Sequence, residues 1–79
     1  MNNQADWAKS EIARKLGQRV RALRRERDLT QERLAEAAHL SVNYISGVER
    51  GFYSPSLTAL AAVAKALNVE IKDLFDFHD

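Results

Sequence analysis

A chain of 79 residues, 46% apolar and 29% charged, has the composition of one soluble globular domain with no room for a second. Its net charge of +1 points to no partner, and its lack of cysteine excludes disulfide staples and thiolate metal sites. No apolar run approaches the roughly 18–20 residues of a bilayer span, and the first ten residues lack the basic-then-apolar order of a signal peptide, so a cytoplasmic location is expected.

Residues 1–7 read as a flexible N-terminal segment and 8–79 as an all-α domain. Ile12, Leu16, Val20 and Leu23 recur at helical spacing and predict a first helix from Ala8 to Glu26, with Trp7 one step off that stripe. Between Arg14 and Arg27 positive charge concentrates, with Arg14, Lys15, Arg19, Arg21, Arg24, Arg25 and Arg27 set against Glu26 alone. Such a run is either a solvated helix face or one pole of a domain that meets a polyanion. Asp28-Leu29 breaks the helix, and Thr30 is a good N-cap for a second one over Gln31–Ala38, turned inward through Leu34, Ala35 and Ala38.

After the short connection His39-Leu40-Ser41, Ser41 caps a third helix, Val42–Glu49, with Ile45 and Val48 inward and Gly51 ending it. Phe52-Tyr53-Ser54-Pro55 reads as a loop, because proline disfavours helix at the residue before it. Ser56 caps a fourth helix, Leu57–Leu67, carrying Leu60, Val63, Ala64 and Leu67, and Asn68 tolerates a left-handed stop. A last short helix over Ile71–Phe75 presents Ile71, Leu74 and Phe75. Negative charge gathers here, where Glu70, Asp73, Asp76 and Asp79 face Lys72. No stretch alternates as a strand would, and there is no internal repeat.

Gln31–Arg50 is the informative segment: two short helices joined by a tight turn. That elbow needs small residues where the backbones approach, supplied by Ala35 and Ala38, and branched apolar ones inside it, supplied by Leu34, Leu40, Ile45 and Val48. Val42, Asn43, Tyr44, Ser46, Gly47 and Arg50 are then left on the outer face of the second helix.

Leu29-Thr30-Gln31-Glu32-Arg33-Leu34-Ala35 and Tyr44-Ile45-Ser46-Gly47-Val48-Glu49-Arg50-Gly51 resemble the phage repressor and Cro (XRE) type of helix-turn-helix regulator. Pro55-Ser56-Leu57, Ala64-Lys65-Ala66-Leu67-Asn68-Val69 and Leu74-Phe75 continue the likeness, which covers residues 16–75. It implies a five-helix, lambda-repressor-like domain whose third helix reads the major groove. Among such regulators, Tyr-Ile-Ser-Gly-Val-Glu-Arg most resembles the controller proteins of restriction–modification systems, which implies a homodimer on an inverted-repeat operator and no cofactor.

The resemblance gives roles to residues, each with a plainer alternative. Asn43 can bond adenine bidentately, or is ordinary surface polarity; Val42 can pack on a thymine methyl, or packs the helix start. Tyr44 either touches DNA or supports the turn, and Ser46 reaches a nearby base or phosphate. Gly47 reaches nothing, so either the backbone approaches DNA there or no readout occurs. Arg50 forks to guanine or clamps a phosphate. Gln31 and the cap Thr30, at the positive end of the second helix, are expected at a phosphate, with Arg33, Arg25 and Tyr53 as neighbours. Arg21 and Arg27 are further phosphate neighbours or solvated. Arg24 and Glu49 match an internal ion pair. His39 stands where relatives carry a left-handed glycine and is expected to adopt that conformation at modest cost. His39 and His78 make no metal site. Phe52 is expected to pack. Ile71, Leu74, Phe75 and Phe77, with edges of the fourth helix, are the candidate dimer surface, although Leu74 and Phe75 also suit the monomer core.

Nothing converges as a nucleophile–base pair or a phosphate-cradling loop, so catalysis is not expected. The cross-class alternative is an antitoxin that also binds its operator, for which the chain offers little surface beyond the last helix. An acidic C-terminal end is the candidate contact for RNA polymerase, should the protein activate.

Overall fold

A computed structural model describes residues 10–77. The expected N-terminal segment 1–7, Trp7 and His78 lie outside these residues. The chain folds as α1 Glu11–Glu26, α2 Gln31–Ala38, α3 Val42–Glu49, α4 Leu57–Ala66 and a 3-10 helix Ile71–Phe75, with no strand among the described residues. The fifth element is thus a 3-10 turn rather than an α-helix, as suits a five-residue piece.

Serine or threonine opens each of these four α-helices. The hydroxyls of Ser10, Thr30, Ser41 and Ser56 accept the main-chain N–H of Ala13, Arg33, Tyr44 and Ala59 at 3.1, 3.0, 3.0 and 3.0 Å. Each such cap contributes about 1 kcal/mol. The cap at Ser10 starts α1 at Glu11 and corrects the expected start at Ala8.

Left-handed residues close the helices: Asp28, His39 and Asn68 at φ 55°, 57° and 59°, and Gly51 at 76°. Each lets the following N–H reach back five residues, as in Leu29 to Arg24, Leu40 to Ala35, Phe52 to Gly47 and Val69 to Ala64 at 2.8–3.1 Å. His39 adopts the conformation that the turn requires of it.

The core joins Leu16, Val20 and Leu23 of α1 to Leu34, Ala35 and Ala38, Ile45 and Val48, Val63, Ala64 and Leu67, and Leu74. α3 rests on α1 and α2, while the 3-10 helix packs on α1 and α4. Arg19 Nε secures that last contact by donating to the Asp73 carbonyl at 2.9 Å. Ile12 is 43% exposed and does not belong to the core; Ala13 faces inward in its place. The reason is crowding. Where α3 ends against α1, only small residues fit.

Gly17 marks the tightest point. A Cβ there would lie 2.5 Å from the carbonyl oxygens of both Val48 and Glu49. Main chain cannot swing aside, so Gly17→Ala is expected to cost about 1–3 kcal/mol despite alanine's better helix propensity. At roughly 4–8 °C per kcal/mol for a domain of this size, thermal unfolding would show the loss; an unchanged midpoint would contradict the close approach.

Candidate nucleic-acid interface

The elbow of α2 and α3 holds one face of α3 inward and leaves the other open. Ile45 and Val48 are 0% and 4% exposed, and Gly47 and Glu49 are also buried. Val42, Asn43 and Arg50 are exposed on the opposite side, with Tyr44 and Ser46 half-buried between them. An exposed row on a short, rigidly held helix is the geometry that enters a groove.

A buried hydrogen-bonded cluster sets the pose of α3. Arg24 Nε donates to Glu49 Oε2 at 2.7 Å and its Nη2 to Glu49 Oε1 at 3.1 Å, a bidentate pair. Arg24 Nη1 donates to the Leu29 carbonyl at 2.7 Å, which also fixes the loop into α2. Gln31 Nε2 donates to Glu49 Oε1 at 3.0 Å. Three segments therefore meet at one carboxylate, α1, the start of α2 and the end of α3, and Arg24 ties in the loop after α1. Gln31 was read from sequence only as a phosphate ligand. Its side chain is also a brace, with one of its two amide hydrogens given to Glu49.

The loop after α3 differs from the expectation for Phe52. Phe52 is 54% exposed, and the Arg50 guanidinium lies 4.5 Å from its ring centroid. The left-handed turn at Gly51 directs Phe52 outward, and Tyr53 folds back on α3 instead. Tyr53 stacks on Tyr44 with centroids 5.5 Å apart and planes 9° from parallel. Its ring occupies the space a Gly47 side chain would fill. Gly47 thus has a local packing reason that neither sequence reading supplied. Its signal was a glycine inside a helix six residues before an aromatic.

Thr30 caps α2 at its exposed N-terminus, and Arg21, Arg25, Arg27 and Arg33 are exposed. Arg27 is partly engaged, with Nη1 donating to the Leu23 carbonyl at 3.3 Å.

Among the expected dimer residues, Leu74 is 0% exposed and belongs to the monomer core, so it is removed from that surface. A 3-10 turn packed on α1 and α4 must turn one large side chain inward, and Leu74 is it. Ile71, Phe75 and Phe77 are half-buried, the last two meeting edge to face at 6.0 Å. Leu57, 71% exposed at the start of α4, is a large apolar side chain left outside; with Ala61 four residues on, it extends the apolar margin of that helix. No helix among the described residues is long and apolar enough to cross a membrane.

Comparison with known proteins agrees with this geometry. The immunity repressor protein of Bacillus phage phi105 is 52% identical over 56 residues, covering 71% of this chain and 39% of the repressor. The HTH-type transcriptional regulator DdrOP3 of Deinococcus deserti is 42% identical over 62 residues, 78% of this chain and 48% of its own. The chain thus spans less than half of these two relatives. Control protein C.BamHI of Bacillus amyloliquefaciens is 44% identical over 62 residues, 77% of this chain and 76% of that protein. Among solved structures, the restriction-modification controller protein C.AhdI from Aeromonas hydrophila superposes with a TM-score of 0.79 at 43% identity, over 80% of this chain and 96% of that one. The helix-turn-helix family HTH_3 matches residues 20–74, which hold most of the core, the elbow and the Arg24–Glu49 pair, and the chain belongs to that family.

Proposed function

We propose that the protein is a sequence-specific DNA-binding transcription regulator of the controller type, acting as a homodimer on an inverted-repeat operator. The observation that carries this reading is the outward row of exposed Val42, Asn43 and Arg50 and half-buried Ser46 on a helix whose other face is locked by the core and by Glu49. A major groove about 12 Å wide admits such a helix.

Asn43, in the first turn of α3, bonds adenine through its amide, and Val42 beside it covers a thymine methyl. Tyr44, next to Asn43, and Ser46, one turn along, line the groove wall, and Arg50 supplies a cation at the far end. Phosphates are held by the N-terminus of α2, where Thr30 and Gln31 meet the positive end of the helix dipole, and by Arg33, Arg25 and Tyr53. The phosphate contacts fix register, and α3 supplies discrimination.

Two copies joined across the apolar margin of α4 and the 3-10 helix, through Leu57, Ala61, Ile71, Phe75 and Phe77, would present two α3 helices to one side of a duplex. The protomer measures 37 × 27 × 18 Å along its principal axes. That size is commensurate with half-sites about 34 Å apart, one turn of DNA. A polymerase contact through the acidic end has weaker support. The Asp73 carboxylate accepts the Glu70 N–H at 2.9 Å, and Asp76 lies 4.0 Å from Arg19. Operator occupancy is therefore the proposed output.

Selection from random duplex DNA tests the reading. An enriched inverted repeat with half-site centres about one turn apart is expected. Retention of DNA with no enriched motif would mean backbone attraction alone and would contradict sequence-specific recognition.

A further inference from the structure

Arg24 and Arg50 both lie at the C-terminal end of α3, and the fold treats their guanidinium groups in opposite ways. Arg24 directs its N–H donors at Glu49 and the Leu29 carbonyl, which neutralises its charge inside the protein. Arg50 meets the face of the Phe52 ring at 4.5 Å. A ring restrains a guanidinium through its flat face, and the N–H donors, which lie in the guanidinium plane, keep their charge and remain presentable. The polar contact within the protein is weak, Arg50 Nε lying 3.4 Å from the Ser46 carbonyl.

Backbone geometry holds the ring where it is. Gly51 turns through φ 76°, and the Phe52 N–H then donates to the Gly47 carbonyl at 2.8 Å, tying the loop to the last turn of α3. Tyr53, stacked on Tyr44 over Gly47, anchors the next residue to the same helix. Phe52 is nevertheless 54% exposed, so core packing does not explain a large ring at this position. An arginine at a helix end otherwise samples many rotamers, and ordering it is a cost of binding.

We infer that Phe52 is a positioning residue for DNA recognition: its ring pre-orders the Arg50 guanidinium for contact with DNA and does not itself touch DNA. The inference rests on the DNA-reading function proposed above and adds to it a residue outside the helix-turn-helix.

The test is a double-mutant cycle in the full chain, measured as equilibrium binding to a duplex recovered by the selection, with thermal unfolding of each variant alongside. Phe52→Ala is expected to weaken binding about two- to five-fold, the range of an exposed cation–π contact, with little change in unfolding temperature. In the Arg50→Ala background the same change should do nothing, and Phe52→Tyr should bind as the wild type does. Binding unaffected by Phe52→Ala or by Arg50→Ala would overturn the inference. So would a Phe52→Ala loss that persists undiminished without Arg50, since the ring would then contact DNA directly, or a Phe52→Tyr variant as weak as alanine. A wild-type protein that fails to prefer the selected duplex over a scrambled one would overturn the proposed function, and this inference with it.

Discussion

Glu49→Ala is expected to cost about 3–5 kcal/mol of folding stability and to lower the unfolding temperature by well over about 10 °C. The change removes one partner of a pair whose side chains are 9% and 3% exposed, leaving the Arg24 guanidinium inside without its carboxylate. Gln31 loses its acceptor at the same time, and the end of α3 loses its tie to α1. Distance alone does not predict this. Arg14 and Glu11 lie 2.8 Å apart, almost as close as the 2.7 Å of Arg24 and Glu49, yet their side chains are 54% and 68% exposed. Water screens that surface pair, so Glu11→Ala should change stability by less than about 1 kcal/mol. Denaturant unfolding of Glu49→Ala, Arg24→Ala and the double variant measures the coupling; Glu49→Gln serves where the alanine variant does not fold. Energies that simply add, with no coupling, would contradict the role given to the pair. Replacing both by apolar residues of similar size, as in Arg24→Met with Glu49→Leu, should recover much of the loss.

The fold was largely legible in the sequence because its punctuation is explicit. Thr30, Ser41 and Ser56 start helices, and His39, Gly51 and Asn68 end them, so the elbow and its buried face followed from spacing alone. Errors arose where a choice depended on how closely two elements approach. Ile12 and Ala13 both continue the stripe of Leu16, and only the crowding of α3 against α1 decides for alanine. Leu74 reads equally as core or surface until the 3-10 turn fixes its direction. Within the site, residue types on α3 marked the outward row. Contacts between residues far apart in the chain did not show: the brace from Gln31 to Glu49 spans 18 residues, and no local pattern marks it. The Arg24–Glu49 pairing, 25 residues apart, came from family resemblance and not from spacing. For Phe52 an aromatic suggests burial, whereas the ring is exposed beside the Arg50 guanidinium.

Asn43→Ala is the second large expected effect, of a different kind. Asn43 is exposed, and its side chain appears in no cap or internal brace of α3, so stability should change by no more than about 0.5 kcal/mol. Operator binding should weaken by about 1–3 kcal/mol, with the loss confined to one base pair of each half-site. Arg33→Ala provides the contrast. Arg33 sits exposed in the first turn of α2, and a phosphate contact carries no sequence information. Its removal should weaken operator and scrambled duplex alike and reduce the slope of log K against log salt by about 0.9. The two substitutions thus separate recognition from attraction, which affinity for a single duplex cannot do.

That α3 reads base sequence is tested most directly by binding wild-type protein and Asn43→Ala to the selected operator and to its single-base-pair variants. Wild-type protein should discriminate at an adenine-bearing position in each half-site by about 1–3 kcal/mol per pair, and Asn43→Ala should lose discrimination at that position while keeping the rest. If the two proteins show the same discrimination at every position, Asn43 does not read bases and the orientation proposed for α3 in the groove is wrong.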